Sequence, residues 1–319
     1  MRLLITGSTG FIGRHLVDVA RQEGHEVFGL VRSKADARER TDLAENKLIE
    51  LDLLSNDAIE LKGKNFDAII HLAFATSGGR EDREKIAIDG TRRICELAKA
   101  SEIRKVVLVS SISVLDYASL PQGTTINEQS PVHENRFDSG HYAYLKFQQE
   151  LIFKDLLKNN SKTEFCIIRP GLVYDNRFII NAHGGLKFGP VKFQISHTGD
   201  VPVVEVGYLC KALVKAASID FDSGEVVHLL DHYLPGQSQY INGLSKRKLP
   251  LFGKVKLPWK IVSWGINLGW FLLPFLYRWK YLPDALRPNE FAGRFKPFSF
   301  DTRKADTMFK LSSTSSFDS

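Results

Sequence analysis

The chain has 319 residues, of which 43% are hydrophobic and 25% are charged, and its net charge is +6. This composition is typical of a globular protein and excludes a disordered chain, a collagen-like chain and a polytopic membrane protein. The length allows two domains or one large one, with a core that needs no disulfide or metal for its stability.

The cysteines and the first residues indicate the cellular compartment in which the protein is expected. Cys95, Cys166 and Cys210 are odd in number and show no metal-binding spacing, so we expect free thiols, a reducing environment and no metal site. The opening sequence MRLLITGSTGFIG turns glycine-rich too early for a secretory signal. We therefore predict a cytoplasmic protein whose chain begins with a β-strand.

Short apolar runs alternate with stretches of helical periodicity over the first 170 residues. The predicted strands are 2–6, 26–31, 48–51, 68–72, 106–110 and 165–168, and the predicted helices are 11–23, 83–100 and 141–159. The strands are continuously apolar, which is typical of a parallel sheet covered by helices on both faces. The pattern predicts an α/β fold with a doubly wound parallel sheet.

The amino-acid composition changes after Pro170, where glycine, proline and aromatic residues become frequent. A helix over 209–217 and a strand over 225–230 are still predicted there, and the tail 312–319 is expected to fray. Between residues 245 and 319 there are fourteen basic and five acidic residues, a balance of +9. This excess indicates either a solvated basic face or an anionic partner, such as a phosphate-bearing ligand or a lipid surface.

The segment 259–281 is rich in aromatic residues and contains all four tryptophans of the chain. Its central 17 residues, 261–277, carry no charge, while lysine and arginine flank them on both sides. The run is too short for a membrane-spanning helix and is interrupted by Asn267 and Pro274. Two interpretations stay open: a buried core helix, or a helix in the membrane interface that gives a peripheral association.

A glycine-rich turn lies between the first strand and the first helix. In the sequence TGSTGFIG, Gly7 suits a tight turn, Gly10 a close approach of the backbone to a pyrophosphate, and Gly13 close packing of the helix on the strand. The free N–H groups at the start of the helix favour an anion. The motif has the strand before and the helix after that it requires, and so predicts a nicotinamide dinucleotide.

The end of the second strand predicts which dinucleotide is preferred. An acidic residue at this place binds the ribose 2′-hydroxyl of NAD, whereas an arginine accommodates the 2′-phosphate of NADP. Here the sequence is Val31-Arg32-Ser33-Lys34, without a carboxylate, so we predict NADP in preference to NAD, with Arg32 as its phosphate ligand. Asp52 is a candidate for binding the adenine amino group, or is an ordinary turn aspartate.

Tyr142 and Lys146 are four residues apart in a predicted helix and therefore share one face. A nearby ammonium group stabilises a phenolate and brings its pKa toward neutrality, as general acid–base catalysis requires. Ser111 follows a buried strand, at the sheet edge where ligands of parallel sheets bind. We expect Ser111 to bind a substrate oxygen while Tyr142 transfers the proton. Tyr144 has no lysine four residues later and is expected at the helix surface or a dimer contact.

Six segments together resemble the extended short-chain dehydrogenase/reductase superfamily, in its NAD-dependent epimerase/dehydratase family. They are TGSTGFIG (6–13), HLAF (71–74), IDGTRRICELA (88–98), VVLVSSISVL (106–115), YAYLK (142–146) and IIRPGLVYD (167–175). The resemblance covers residues 1–175 well and continues weakly beyond them. It implies a Rossmann-type domain over 1–170, to which about 200–232 return, and a smaller C-terminal substrate-binding part over 171–199 and 233–319.

The resemblance also implies roles for individual residues and an assembly. Ser111, Tyr142 and Lys146 would form the catalytic triad, Lys146 would also bind the cofactor ribose, and the chain would form a homodimer through its two long helices. The dinucleotide would be contacted by Gly7, Gly10, Phe11, Ile12, Gly13, Asp52, Leu53, Leu72, Ala73 and Phe74. Ile112 and Ser113 replace the Asp-Glu pair of the family's dehydratases, which argues against a sugar 4,6-dehydratase.

Three hypotheses for the function remain. The first is a 4-epimerase or ketoreductase acting on a nucleotide-sugar, with Arg287 and Arg294 binding the diphosphate or forming surface salt bridges. The second keeps the chemistry but takes a lipophilic substrate, as the hydroxysteroid dehydrogenase-like and dihydroflavonol reductase-like members of the family do. The third, from another class, is a non-catalytic NADP-binding regulator, although the chain keeps both Tyr142 and Lys146. No motif for binding nucleic acid is present.

Overall fold

A seven-stranded parallel sheet organises the first part of the chain and continues with a strand after residue 224. The computed structural model describes residues 1–55, 61, 63–75, 78–134, 140–157, 162–188, 191–249, 253, 255–276, 283–311 and 317. The strands of this sheet are β1 (Arg2–Thr6), β2 (Glu26–Val31), β3 (Leu48–Glu50), β4 (Ala68–His71), β5 (Lys105–Val109), β7 (Glu164–Pro170) and β12 (Glu225–Leu229).

The strands lie in the order β12-β7-β5-β4-β1-β2-β3, and every neighbouring pair is parallel. The order reverses between β1 and β4, so the loops that follow these two strands diverge and leave a crevice at the carboxyl edge of the sheet. The sheet confirms the predicted α/β fold of the Rossmann type.

Helices cover both faces of the sheet because successive strand residues point to opposite sides. Leu3 and Ile5 of β1 pack with α1 (Phe11–Gln22) and α5 (Val206–Ser218), whereas Leu4 packs with α3 (Arg80–Ala100) and α4 (His141–Leu157). Each of these helices lies on a continuously buried side of the sheet, as the uninterrupted apolar strands predict. The three cysteines are free and buried within these two core layers.

The remaining described elements are short strands in small sheets and further helices. Short strands are β6 (Thr125–Ile126), β8 (Leu172–Tyr174), β9 (Gly185–Phe188), β10 (Val191–Ser196), β11 (Val203–Glu205), β13 (Lys256–Pro258) and β14 (Ser299–Phe300). The other helices are α2 (Lys34–Arg38), α6 (Gln237–Lys246), α7 (Trp259–Leu276), α8 (Pro288–Phe295) and α9 (Arg303–Phe309). Strands β9, β10 and β13 pair in one sheet, against which α7 and α8 pack.

The structure describes only part of the aromatic segment 259–281 and of the tail 312–319. The aromatic segment forms α7 as far as Leu276, and its residues 277–281 are outside the described residues. None of the described helices is long and apolar enough to cross a membrane. Of the tail 312–319, predicted to fray, only Phe317 is described, and it is buried against Tyr174 and Tyr240.

Candidate active site

The glycine-rich turn between β1 and α1 forms one wall of the crevice. Gly7 has a φ of +71°, which favours glycine, and a Cβ atom there would lie 3.0 Å from the backbone nitrogen of Ala73. A Cβ atom at Gly13 would lie 2.1 Å from the carbonyl oxygen of Gly7, so α1 packs directly on the turn. Gly10 donates its N–H to that oxygen and precedes α1 without a capping side chain. The open N–H groups and the absence of side chains fit the pyrophosphate of a dinucleotide.

The loop after β4 forms the opposite wall. The backbone N–H groups of Leu72 and Ala73 donate to the carbonyl and hydroxyl oxygens of Thr6, at 3.2 and 3.1 Å. Leu72, Ala73 and Phe74 therefore lie directly beside the glycine turn. The structure thus brings together the two predicted cofactor loops, which are more than fifty residues apart in the sequence.

At the end of β2, the structure places Arg32 on the surface, exposed to solvent. Within the described residues it forms no ion pair, so its guanidinium is available to a ligand. The next residues are engaged locally: Ser33 accepts from the N–H of Asp36, and the N–H of Lys34 donates to Glu50 at 2.6 Å. Glu50 therefore places a carboxylate close to residues 31–34, which contain no acidic residue of their own.

The other predicted cofactor contacts of the first half make structural contacts. Asp52 accepts the N–H of Leu54 at 3.0 Å, as a turn aspartate does, and the side chain of Leu53 packs beside Gly90. The ring of Phe11 stands edge-on to that of Phe178, with centroids 5.4 Å apart. The carbonyl of Ile12 accepts from the thiol of Cys210 at 3.7 Å. All four side chains are only partly buried.

Ser111, Tyr142 and Lys146 meet at the carboxyl end of β5. The hydroxyl of Ser111 lies close enough to that of Tyr142 to lower its pKa, and the ammonium of Lys146 donates to the carbonyl of Val109 at 2.8 Å. Ser111 also caps the short 3₁₀ helix Ile112–Val114 by accepting the N–H of Ser113. The structure thus brings together the three predicted catalytic residues, one from the strand end and two from one face of α4.

The electrostatics of the triad differ from the sequence-based expectation. Although Tyr142 is 44% exposed overall, desolvation raises the pKa of its phenol, and the nearby hydroxyl of Ser111 only opposes this effect. Burial lowers the pKa of Lys146 to about 7, partly opposed by the charge of Glu150. The expected lowering of the Tyr142 pKa by Lys146 is therefore wrong for this structure, because burial dominates at both groups.

Phe74 contacts both titratable members of the triad. Its ring stands edge-on to Tyr142 with centroids 5.2 Å apart, and the ammonium nitrogen of Lys146 lies 4.6 Å from the ring centre. The latter contact is a cation–π interaction in a partly desolvated site. Phe74 was predicted as a cofactor contact, and the structure shows that it also closes the lysine off from solvent.

A buried chain of polar side chains links the glycine turn to the catalytic helix. The hydroxyl of Thr6 is 2.7 Å from Nδ1 of His71, Nε2 of His71 is 3.0 Å from the hydroxyl of Thr91, and Gln149 donates to the same hydroxyl at 2.7 Å. Burial and the charge of Lys146 lower the pKa of His71 to about 3, so the imidazole is neutral. Sequence reasoning missed this chain, because its residues come from four separate elements.

A buried ion pair lies behind the triad. Nε and one terminal nitrogen of Arg169 donate to the two carboxylate oxygens of Glu150 at 2.8 and 2.7 Å. Ser110, next to the catalytic serine, donates to the same carboxylate at 2.6 Å. Glu150 is one helical turn after Lys146 and raises the lysine pKa. The pair therefore fixes β7 against α4, and the bond from Ser110 fixes the end of β5 there as well. The only sequence signal of the pair was the helical spacing of Lys146 and Glu150.

Helix α8 and the turn before it cover the start of α4. Asp284 accepts the backbone N–H of His141, and Glu290 accepts that of Gly140, both at 3.2 Å. Burial raises the pKa of Glu290, whose charge also raises the pKa of the neighbouring Tyr142. Sequence reasoning did not single out these acidic residues.

The two predicted substrate ligands lie in this same region. Arg287 is buried and donates from Nε to Asp284 at 2.9 Å, while Arg294 pairs with Glu290 at 3.2 Å. Each arginine thus forms an ion pair with an acidic residue, Asp284 or Glu290, that itself binds the backbone at the start of the catalytic helix. An incoming diphosphate would have to compete with Asp284 and Glu290 for them.

The sequence matches the NAD dependent epimerase/dehydratase family over residues 3–184, more than half of the chain. The protein belongs to this family. The membership confirms the predicted resemblance, and at the level of the family it confirms the expectation of an enzyme of the extended short-chain type.

Individual relatives differ in what they do. The chain is 27% identical over 184 residues to a 3-diazoavenalumate denitrifying reductase from Streptomyces, covering 54% of this chain and 57% of the relative. It is 30% identical over 187 residues to a UDP-glucose 4-epimerase from Mycolicibacterium smegmatis, covering 56% and 58%. The chain therefore matches little more than half of these relatives' length.

The similarity of fold to one solved structure extends over the whole length of this chain. The UDP-glucuronic acid 4-epimerase from Bacillus cereus, determined in complex with NAD, superposes with a TM-score of 0.69 at 19% identity. The superposition covers 100% of this chain and 95% of the epimerase chain. At this identity the likeness concerns the fold alone.

Proposed function

We propose that the protein catalyses hydride transfer between a nicotinamide dinucleotide and a carbonyl or alcohol carbon, with Tyr142 as the acid or base. The observation that carries this proposal is the meeting of Ser111, Tyr142 and Lys146 at the carboxyl end of β5, beside the two cofactor loops. A general acid needs this kind of placement next to a group that binds the reacting oxygen.

Different residues of the crevice would bind the cofactor, bind the substrate and transfer the proton. The glycine turn and the start of α1 would hold the pyrophosphate, and Lys146 would hold the ribose next to the nicotinamide. The bound nicotinamide would supply or accept the hydride. Ser111 would donate a hydrogen bond to the substrate oxygen, and Tyr142 would transfer the proton to or from the same oxygen. Phe74 would exclude water from Lys146 and Tyr142 during the transfer.

The phenol of Tyr142, whose pKa burial raises, is protonated at neutral pH as an ordinary tyrosine is, so it can give a proton to a carbonyl that receives a hydride. We therefore propose a ketoreductase, or the reduction half of a 4-epimerase. The relatives include a 3-diazoavenalumate denitrifying reductase and a UDP-glucose 4-epimerase.

For the cofactor, we propose a preference for NADP over NAD. The exposed guanidinium of Arg32 at the end of β2 supports it, because a 2′-phosphate accepts a bidentate hydrogen bond from arginine. The carboxylate of Glu50 accepts the backbone N–H of Lys34 and forms no ion pair with Arg32. The solved neighbours named in complex with NAD bind the dinucleotide without the 2′-phosphate.

For the substrate, we propose a nucleotide-sugar whose diphosphate is bound by Arg287 and Arg294. Their position around the start of α4 supports this assignment, as do the UDP-sugars named with several structural neighbours. One observation favours the second candidate, a lipophilic substrate: the outer side of α7 exposes a row of large apolar side chains. The two substrates share the same hydride transfer.

The assembly and location follow the sequence-based predictions as proposals. We propose a homodimer through α3 and α4, which lie side by side on one face of the sheet, with Leu151 exposed on the outer side of α4. We also propose a cytoplasmic location, on the ground of three free, buried thiols.

The test is a titration of the purified protein with NADPH and with NADH, followed by a panel of nucleotide-sugars and hydrophobic ketones at the nicotinamide absorbance band. Oxidation of NADPH by a panel member supports a reductase and identifies its substrate class. Tight cofactor binding with an inverted sugar product and no net oxidation supports an epimerase. Cofactor binding without any product from the whole panel would favour the non-catalytic regulator and contradict the proposal.

A further inference from the structure

Helix α7 presents apolar side chains on two opposite sides. Trp259, Val262 and Ile266 point inward and pack with Phe291 and Phe295 of α8. The outer side carries five large apolar residues that are exposed to solvent: Ile261, Trp264, Leu268, Phe271 and Leu272. A surface helix normally has polar residues opposite its buried stripe. The helix is therefore attached to the fold by one side and has no cover on the other among the described residues.

The five exposed residues, here called the outer face, form one stripe. At 100° per residue they fall within an arc of about 100° on the helix. Trp264 and Phe271 are both 70% exposed and Ile261 is 63% exposed, so the rings stand out from the surface. Monomeric proteins rarely leave a contiguous apolar patch of this kind in water without a binding partner.

We propose that the outer face docks on an anionic lipid membrane, with α7 lying in the plane of the interface. Charge complementarity carries the choice of this partner. Lys260, on the first turn of α7, and Lys256, in β13 just before it, are both exposed. In the sequence, Lys254 precedes them, and Arg278 and Lys280 follow the helix. Basic residues before and after an apolar stripe in the sequence, here called the basic border, attract anionic headgroups while the stripe enters the acyl boundary.

The composition of the outer face favours lipid over a second copy of the chain. Trp264 belongs to the residue type that prefers the depth of the headgroups. Two copies joined through this face would bring their basic borders together, and like charges across an interface are unfavourable.

The docked surface would lie one helix away from the catalytic end. The inner side of α7 packs on α8, and Glu290 of α8 accepts the N–H of Gly140, two residues before Tyr142. Docking would therefore hold the rim of the crevice close to the membrane. This inference is independent of the proposed reaction, because it depends only on the outer face and its basic border.

The chain offers an intrinsic reporter of docking. All four tryptophans lie between residues 259 and 279, so the tryptophan fluorescence of the whole protein reports on this segment. The experiment mixes the full chain with vesicles of equal parts phosphatidylcholine and phosphatidylglycerol, and with vesicles of phosphatidylcholine alone. Co-sedimentation measures binding, and quenching of tryptophan by brominated acyl chains measures insertion.

Two variants and two matched controls test the parts of the proposal. Phe271→Ser should weaken binding to the anionic vesicles by roughly tenfold or more, because a large apolar side chain no longer enters the bilayer. Its control, Tyr233→Ser, removes an aromatic side chain that is 83% exposed elsewhere and should leave binding unchanged. Lys260→Glu should weaken binding mainly at low salt, whereas Lys211→Glu on α5 makes the same charge change away from the outer face.

Sedimentation with the anionic vesicles, lost in Phe271→Ser and accompanied by tryptophan quenching, is the result expected. Equal binding to both vesicle types would overturn the role of the basic border. Absence of binding to either would overturn the proposal. So would a doubled mass in solution without lipid that Phe271→Ser returns to a single chain, since a second copy would then cover the outer face. None of these readings requires turnover.

Discussion

The ammonium nitrogen of Lys146 lies 4.6 Å from the centre of the Phe74 ring. The ring comes from the loop after β4, and the lysine comes from the middle of the catalytic helix. Because the ring covers the lysine, water is largely excluded from the ammonium group, and burial lowers its pKa from 10.5 to about 7. The contact thus links the geometry of the crevice to a measurable property of the folded protein.

The first prediction concerns the pH dependence of stability. Between about pH 7 and about pH 10.5 the unfolded chain keeps a proton on Lys146 that the folded protein has lost. The free energy of unfolding therefore gains about 1.4 kcal/mol per pH unit from this group as the pH rises through that window.

Lys146→Met lacks this contribution. Urea unfolding of both proteins at about pH 7 and about pH 9 should show the difference between them change by about 2–3 kcal/mol in favour of the wild type. If the two proteins change in parallel with pH, Lys146 keeps an ordinary pKa and the burial argument is wrong.

The second prediction concerns the packing of the glycine turn. Gly13→Ala places a methyl group against the carbonyl of Gly7, so we expect a loss of about 1–3 kcal/mol of stability and loss of dinucleotide binding. Gly265→Ala is the matched control, because no atom lies within 4 Å of its Cβ position, and alanine favours the helix by about 1 kcal/mol. Thermal unfolding and NADPH titration measure both effects. A Gly13→Ala protein that binds NADPH normally would refute the assignment of the turn.

The third prediction concerns the buried pair of Glu150 and Arg169. Glu150→Gln leaves a buried guanidinium without its carboxylate, which should cost about 3–5 kcal/mol of unfolding free energy. Replacing both residues by methionine removes both charges, so it should cost less than Glu150→Gln alone. Chemical unfolding of the two variants decides the matter, and equal losses in both would mean that packing, not charge, governs the site.

The fourth prediction concerns the choice of cofactor. Arg32→Asp removes the proposed ligand of the 2′-phosphate, so the ratio of kcat/KM for NADPH to that for NADH should fall by about 10–100-fold. Glu50→Gln removes a nearby carboxylate and should leave the ratio unchanged or raise it. An unchanged ratio in Arg32→Asp would show that another residue recognises the phosphate, or that NAD is the cofactor.

The sequence predicts the sheet and the glycine turn before α1 well, because both depend on local patterns. Continuous apolar strands indicated the parallel sheet, and the spacing of Gly7, Gly10 and Gly13 indicated the turn before α1. The triad also followed from local signals, a serine after a strand and a tyrosine four residues before a lysine. In each case a few neighbouring residues determine the structure.

Other features depend on contacts that no local pattern contains. His71 and Thr91 join Thr6 to Gln149 only because β1 and β4 are neighbours and α3 packs on α4. The pKa of Tyr142 depends on burial by residues from several elements, so the four-residue spacing to Lys146 suggested the wrong direction. The apolar segment from 259 predicted a helix, but only its packing on α8 separates the buried side from the outer face.

The most direct test of the central claim compares two tyrosines on the same helix. Tyr142→Phe removes the hydroxyl beside Ser111, whereas Tyr144→Phe makes the same change two residues later. With a substrate identified from the panel, Tyr142→Phe should lower kcat by about 100-fold or more while its affinity for NADPH is retained. Tyr144→Phe should keep most of the activity. Full turnover in Tyr142→Phe, or an equal loss in both variants, would contradict the role of Tyr142 as the acid or base.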